Sequence, residues 1–269
     1  MLRKWYIPLA GLALVIGSLA ASQAAAAARQ APRAPAAGHL ARPAAHLVRP
    51  VSHGTRPLLV GGFPHTGLTS TNWSGYAAHG RTFRSVSASW VEPTGHCHGG
   101  HQYSSFWVGL DGFNSNTVEQ TGSEVDCAGR TPRYFAWYEM FPAFPVNFSN
   151  RVRPGDHITA SVTHAGGSRY TLVLRDTTEG WSHTIHKSLR GAKDSSAEVI
   201  AEAPSSSRGV LPLAAFGTVH FSNAAANGAA IGRARPAKIV MASQAGRPKD
   251  AVTSLSGGRN FSVSWRHST

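Results

Sequence analysis

From Thr71 onward, the chain consists of short runs in which apolar and polar residues alternate. The clearest runs cover residues 83–91, 158–164, 170–174 and 261–265. Stretches rich in glycine, proline and serine separate such runs, at 153–156, 165–168 and 256–258. Alternation with a period of two between turn signals is typical of half-buried β-strands. The pattern therefore predicts an all-β fold, an antiparallel sandwich or barrel, without a long amphipathic helix.

The composition agrees with a globular β domain and excludes several other classes. Hydrophobic residues make up 42% of the 269 residues, which is enough for a core and argues against global disorder. With 14% charged residues, 28 glycines and 16 prolines, the chain is unlike a helical bundle or a coiled coil. Two cysteines exclude a disulfide-dense scaffold and a four-cysteine zinc site.

The first 28 residues follow the plan of a secretory signal peptide. Arg3 and Lys4 supply the positive start, an apolar run covers 7–21, and small residues follow as far as position 28. A membrane anchor is disfavoured because the apolar run is shorter than the roughly 20 residues that span a bilayer, and no charge cluster follows it. We expect cleavage near 24–28, an extracellular location and no stable membrane association after cleavage.

Residues 29–68 differ from the rest of the chain, since they are rich in Ala, Pro, Arg and His and contain no acid. Such a segment buries too little apolar surface to offset its ordering entropy. We interpret it as a disordered propeptide or a plain linker before a β-sandwich domain at 69–269. Residues 1–70 hold seven Lys or Arg and no Asp or Glu. This segment therefore carries more than half of the net charge of +13. The remainder has no dense basic block, so no nucleic-acid partner is expected.

Two carboxylates, Glu198 and Glu202, lie in the short apolar segment 197–203. If this segment is a strand, residues 198, 200 and 202 point to one face, and Val199 and the alanines point to the other. Two solvated surface acids are the plainer interpretation of such a pair. The alternative is a functional site on that surface of the sheet.

A second group of polar residues lies among large aromatic side chains. Gln120 stands between the aromatic segments 106–112 and 135–139. The acids of this region are Asp111, Glu124 and Glu139. Aromatic walls lower the local dielectric, and a carboxylate in such surroundings has a perturbed proton affinity. Taken alone, however, an aromatic-rich strand is more often part of a core than of a site.

In several ordered motifs the chain resembles the glutamic peptidases, also called eqolisins, in their bacterial-type secreted form. The segments that carry the resemblance are NWSGY (72–76), SASWVEP (87–93), WVGLDG (107–112), QTG (120–122), AWYE (136–139) and AEVIAE (197–202). They occur in the family's order with similar spacing and cover most of residues 71–222. Each segment alone is weak, and the ordered set is fairly specific.

This resemblance implies a sandwich of two large antiparallel sheets, of the lectin or concanavalin type, with the site on a concave sheet face. It also implies a catalytic pair, with Gln120 and Glu202 at the positions of the family's glutamine and glutamate. The residues that match the lining or the support of the family's cleft are Trp73, Trp107, Asp111, Glu139 and Glu198. Glu124 stands where the better-known fungal members have Asp, and Phe141 stands where they have Tyr.

The implied chemistry needs only these side chains. An ionised Glu202 can take a proton from water and return it to the leaving amine, and the carboxamide of Gln120 can donate to the oxyanion. No metal ion, cofactor, thiol or serine triad is required. We expect a monomeric, secreted endopeptidase that cleaves proteins or peptides in mild acid, because an unperturbed Glu has a pKa of about 4.3.

Two other functions remain open from the sequence. Sandwich folds also include glycoside hydrolases, which would use Glu198 and Glu202 as their two carboxylates. A lectin-like domain would instead stack sugars on Trp73, Trp107 and Trp137. Gln120 separates these hypotheses, because it is indispensable only to the peptidase.

The two cysteines, Cys97 and Cys127, can pair in an oxidising compartment. The loop around Cys97 is also rich in histidine, at positions 96, 98 and 101. Adjacent ligands in so short a loop rarely converge on one ion, and the spacing fits no standard zinc pattern. We therefore favour a disulfide in a polar loop and expect no metal site.

Overall fold

The computed structural model describes residues 57, 59–60 and 67–269. The predicted signal peptide and nearly all of the predicted propeptide or linker lie outside the described residues. Within them, the chain forms 19 β-strands and a single 3-10 helix, Ile231–Ala234. No helix in this part of the chain is long and apolar enough to cross a membrane.

Among the described residues, nine strands form the larger sheet. In chain order they are β1 (Leu59–Val60), β2 (Leu68–Ser70), β3 (Trp73–His79), β5 (His101–Leu110), β6 (Val118–Ala128), β7 (Thr131–Phe141), β8 (Val146–Asn147), β12 (Ser196–Glu202) and β17 (Ala237–Met241). In space they lie in the order β1, β2, β17, β3, β12, β5, β6, β7, β8. Strands that are distant in sequence therefore lie side by side in the middle of this sheet.

The second sheet has eight strands in the described chain. They are β4 (Ser85–Val91), β9 (His157–Gly166), β10 (Arg169–Asp176), β11 (Trp181–Ser188), β15 (Thr218–Ala226), β16 (Ala229–Ala230), β18 (Asp250–Val252) and β19 (Phe261–Trp265). Their order is β11, β10, β9, β4, β15, β19, β18, and β16 pairs with β15. The two remaining strands, β13 (Ser205–Ser206) and β14 (Gly209–Val210), form a small hairpin.

The two large sheets make the predicted antiparallel β-sandwich. The four alternating runs of the sequence lie in β4, β9, β10 and β19. One pair departs from the antiparallel pattern, because β2 and β17 run parallel. A parallel pair needs a long connection, and here nearly the whole domain lies between the two strands.

The main hydrophobic core fills the space between the sheets. In β4, Val86, Ala88 and Trp90 are at most 2% exposed, while the serines between them are half-buried. From the larger sheet, Ala197 and Val199 of β12 enter the same core, as their parity predicts. Side chains alternate between the two faces of a strand, so Glu198 and Glu202 lie on the opposite surface of that sheet.

The larger sheet extends into the segment that the sequence assigns to a propeptide or linker. In β1, Leu59 lies opposite Ser70 and Val60 opposite Thr69 of β2. Pro57, just before β1, is buried. Residues 59–60 therefore contribute backbone pairing at one edge of the sheet.

Cys97 and Cys127 form a disulfide with Cα atoms 5.4 Å apart, which joins the loop before β5 to β6. The bridge closes a loop of 30 residues, and on the chain-entropy model a loop of that length stabilises a fold by about 3–4 kcal/mol. We expect the double variant Cys97→Ser, Cys127→Ser to lose roughly this much free energy of unfolding in urea titrations. Reduced wild type should match the variant. A variant as stable as oxidised wild type would contradict this account.

Candidate functional site

The surface of the larger sheet that faces away from the main core carries the polar residues singled out by the sequence. In one transverse row, Glu198 of β12 pairs with Gly109 of β5. Gly109 in turn pairs with Gln120 of β6, and Gln120 pairs with Glu139 of β7. Directly paired residues of neighbouring strands point to the same face. Gln120, Glu139 and Glu198 therefore share one surface.

A second row on the same face contains Glu202, four residues further along β12. Its neighbours are Trp73 of β3 on one side and Ser105 of β5, then Glu124 of β6, on the other. An offset of four residues keeps the side chains on the same face. Gln120 and Glu202 thus lie on one surface, two strands apart, with about 16 Å between their Cα atoms on a flat sheet.

Between these rows lies a row of large side chains. Ile200, Trp107, Gly122 and Trp137 pair in that order across four strands. Trp107 also meets Trp73 edge to face, with ring centroids 5.0 Å apart. These apolar side chains form a cluster that is separate from the main core. They provide the aromatic walls that the sequence predicts around the polar residues.

Trp107 connects the row of Gln120 with the row of Glu202. Its Nε1–H donates to Oε2 of Glu202 over 2.8 Å. At the other end of the ring, Cζ3 lies 3.0 Å from the position that a Cβ on Gly109 would take. The same position is 3.2 Å from Cβ of Gln120. The indole therefore forms a floor between the carboxylate and the carboxamide.

The carboxamide of Gln120 is held by its row neighbour. Its Nε2–H donates to Oε2 of Glu139 over 2.8 Å, and both side chains are fully buried. One amide hydrogen is enough for this bond, and the NH₂ group carries two. Glu139 therefore orients the amide of Gln120.

Glu124 lies in the row of Glu202, with Ser105 between them. Burial raises the pKa of Glu124 to about 7, and the negative charge of Glu202 contributes in the same direction. A hydrogen bond with Asp126 lowers the pKa of Glu124 and opposes part of this shift. In mild acid Glu124 is therefore neutral, and Glu202 has no second carboxylate charge beside it in the row.

Glu198, the first acid of the segment 197–202, is fully buried. It pairs with Gly109, which separates it from Gln120. Burial raises the pKa of Glu198 well above its usual value, and the charge of Asp111 adds to the shift. The Ser196 hydroxyl and the Phe113 backbone N–H act in the opposite direction. Burial therefore favours the neutral form of the Glu198 carboxyl group.

Asp111 supports the surface from one end and lies at the end of β5. Its carboxylate accepts hydrogen bonds from the backbone N–H groups of Lys193, Asp194 and Ser195, at 2.7 to 2.9 Å, and from the Ser195 hydroxyl. These bonds hold the loop that leads into β12. Asp111 thereby contributes to the placement of Glu198 and Glu202.

Phe141 packs against the apolar cluster of Trp73, Trp107 and Trp137 and pairs with Val118. Because it lacks a phenolic hydroxyl, it contributes packing there and no side-chain hydrogen bond. Two further residues, Ser105 and Asp126, belong to the site and were not singled out from the sequence. The available signal was their position in the strand. Ser105 lies two residues from Trp107 and Asp126 lies two residues from Glu124, so each points to the same face as a residue that was singled out.

The absence of a side chain at position 122 brings Trp107 close to β6. A Cβ on Gly122 would stand 2.1 Å from the carbonyl oxygen of Phe106 and 2.6 Å from Cβ of Trp107. We expect Gly122→Ala to displace Trp107, to lower activity and to reduce the thermal midpoint. Gly109→Ala is the matched comparison, because its contacts of 3.0 to 3.2 Å involve only side chains. A Gly122→Ala variant no more impaired than Gly109→Ala would contradict this.

Comparison with known families identifies the family of the chain. Residues 71–265 match the model of the Peptidase A4 family. The chain belongs to the peptidase A4 family. This result confirms the resemblance to glutamic peptidases that the ordered motifs suggest.

One relative of this A4 family member matches part of the chain. Aspergillopepsin-2 from Aspergillus niger is 29% identical over 181 residues, which are 58% of this chain and 64% of that relative. The match therefore spans slightly less than two thirds of the relative's length.

Solved structures similar to this A4 family chain share its sandwich. A scytalido-glutamic peptidase, in complex with a transition state analog inhibitor, aligns with a TM-score of 0.64 at 24% identity, over 73% of this chain and 98% of that one. Aspergilloglutamic peptidase from Aspergillus niger aligns with a TM-score of 0.54 at 25% identity, over 61% of this chain and 99% of that one. The two-sheet architecture is thus that of the glutamic peptidases.

Proposed function

We propose that this protein is a secreted acid endopeptidase that hydrolyses peptide bonds with Gln120 and Glu202. The observation that carries the proposal is the placement of a carboxylate and a carboxamide on one face of the larger sheet, with Trp107 between them. Membership of the peptidase A4 family supports the same reaction class. Protein and peptide substrates, a monomeric state and export by the N-terminal signal are parts of this proposal.

In the first step, Glu202 acts as the general base. Its carboxylate takes a proton from a water molecule lying above the Trp107 ring, and the water oxygen forms a bond to the carbonyl carbon of the substrate. The Trp107 N–H bond to Oε2 fixes the orientation of this carboxylate. Positioned proton transfer of this kind contributes about 10²- to 10⁴-fold to a rate.

The same step turns the carbonyl oxygen into an oxyanion, which needs a hydrogen-bond donor. The NH₂ group of Gln120, which Glu139 holds in place, donates a hydrogen bond to the oxyanion. A fixed donor in a buried site stabilises developing charge without reorganising during the reaction, and is worth about 3–4 kcal/mol. Glu139 is thus a positioning residue for Gln120.

In the second step, the tetrahedral intermediate collapses. Glu202, now protonated, gives its proton to the amide nitrogen, the C–N bond breaks, and the oxyanion becomes a carboxyl group. The residue returns to its ionised state, so one water is consumed for each bond cleaved. The reaction therefore requires Glu202 to be ionised at the start of each cycle.

The direct test compares protein and polysaccharide substrates for the purified secreted protein at pH 3 to 7. We expect denatured casein to be cleaved with a maximum in the acid half of this range, and no sugar release. Proteolysis that requires neutral or alkaline pH would overturn the assignment. Release of sugar would favour the glycoside hydrolase, and sugar binding without either reaction would favour the lectin-like domain.

A further inference from the structure

A cavity of about 710 Å³ lies at the edge of the sandwich where the two sheets meet. Thr69 of β2, Lys238 and Val240 of β17 and residues of β18 line it. Their neighbours Leu68 and Ile239, which have the opposite parity, pack with the Trp107 cluster. The cavity therefore lies on the other side of the larger sheet from Gln120 and Glu202, outside the site described above.

Most of the lining of this cavity is apolar. The apolar residues that line it are Val240, Met241, Ala242, Pro248, Ala251 and Val252. Small-molecule sites typically have volumes of about 300–1,000 Å³, largely apolar walls and a few polar groups that fix orientation. Both the size and the lining of the cavity meet this description.

The polar groups at the cavity are mainly basic. Lys238, Arg266 and His267 contribute to the lining. The guanidinium of Arg247 adds a further positive charge, with Nη2 3.0 Å from Nδ1 of His267. An apolar lining beside guanidinium and ammonium groups is complementary to a ligand with an apolar body and one negative charge.

One acid also lines the cavity, and its carboxyl group is already engaged. Asp250 accepts hydrogen bonds from the Ser74 hydroxyl and, over 3.0 Å, from the Met241 backbone N–H. Burial raises the pKa of Asp250 to about 7, although the neighbouring charge of Lys249 lowers it. The Lys249 ammonium is buried and donates to the Thr71 carbonyl oxygen over 3.2 Å. In mild acid the charges facing the cavity are therefore positive.

We propose that this cavity binds a linear apolar monocarboxylate, such as a medium-chain fatty acid. Arg266 and Lys238 hold its carboxylate, and its alkyl chain lies along Val240, Met241 and Val252. A sugar would find too few polar partners, and a cationic amphiphile would meet like charge. The proposal is independent of the peptidase activity.

The test titrates the purified secreted protein with octanoate, octylammonium and 1-octanol by calorimetry at pH 6. We expect one octanoate per chain, binding at least tenfold more tightly than octanol, and no binding of octylammonium. The double variant Arg266→Gln, Lys238→Gln should weaken octanoate binding at least tenfold. Arg233→Gln, an exposed basic residue outside the cavity, is the matched control and should leave binding unchanged.

A cavity-filling variant, Ala251→Leu, locates the ligand without removing a charge. It should abolish octanoate binding and leave proteolysis unchanged, which also shows that the variant folds. Three outcomes overturn the proposal: no octanoate binding, equal binding of octanoate and octylammonium, or binding that survives both the double variant and Ala251→Leu.

Discussion

Replacing Glu202 with Gln is expected to lower kcat for peptide hydrolysis by about 10²- to 10⁴-fold, because an amide cannot accept a proton from the attacking water. The fold should survive, since Gln has the same size and its carbonyl oxygen can still accept the Trp107 N–H. Gln120→Ala should lower kcat by about 10²- to 10³-fold through loss of the oxyanion donor. Both effects are measured with a soluble peptide substrate in mild acid.

The matched control for these variants is Glu179→Gln. Glu179 lies in the turn between β10 and β11 of the second sheet, where it is partly exposed and pairs with Arg153. It should keep wild-type kcat and KM. Wild-type kcat in either Glu202→Gln or Gln120→Ala, with circular dichroism showing an intact fold, would remove that residue from the catalytic pair.

The free energy of unfolding is expected to fall by several kcal/mol between pH 5 and pH 8. Two carboxyl groups in the main core, Glu92 and Glu119, contribute to this dependence together with the buried Glu124, Glu198 and Asp250. Burial raises the pKa of Glu92 from 4.5 to about 8, with opposing hydrogen bonds from Ser123 and Trp90. Burial also raises the pKa of Glu119 from 4.5 to about 9, and the charges of Asp111 and Asp194 add to it. One unit of pKa corresponds to about 1.4 kcal/mol.

The sign follows from the direction of these shifts. Below the unfolded pKa of 4.5, both states are protonated and the stability is complete. As the pH rises above this value, the unfolded chain ionises while the folded carboxyl groups stay neutral, so unfolding becomes easier. The loss continues until the folded groups ionise near pH 8 to 9. The thermal midpoint should therefore drop by on the order of 10 °C.

Glu119→Gln tests this account, because an amide resembles the protonated acid and does not titrate. The variant should lose less stability than wild type between pH 5 and pH 8, measured by thermal unfolding at each pH. Glu179→Gln, on the surface, should follow the wild-type curve. A Glu119→Gln curve parallel to that of wild type would show that Glu119 does not carry the dependence.

The strands that the sequence predicts are those with strong contrast between their two faces. In β4, serines alternate with Val86, Ala88 and Trp90, so one face could only be buried. The same contrast in β12 assigns Glu198 and Glu202 to the surface opposite the core. Alternation is a local property. It can be recognised in the sequence wherever one face of a strand packs against the second sheet and its opposite face does not.

The pairing of strands and the buried acids could not be predicted in this way. β6 has polar residues on both faces, so its sequence does not show that Glu119 and Ser123 are buried on the face opposite Gln120. The order of the larger sheet depends on contacts between distant segments, which no local pattern contains. Only that order reveals that Glu198 lies across Gly109 from Gln120, and that Trp107 lies between Gln120 and Glu202.

The parallel pairing of β2 with β17 has a consequence for folding during synthesis of the chain. β17 lies between β2 and β3, so the sheet cannot be completed until residues 237–241 have been synthesised. Contacts of such long range form late in folding. A nascent chain emerging from a ribosome thus lacks the complete larger sheet until nearly all of its length has been synthesised. Chains truncated before residue 237 should accordingly be digested rapidly by an added protease, whereas the full-length domain should resist it.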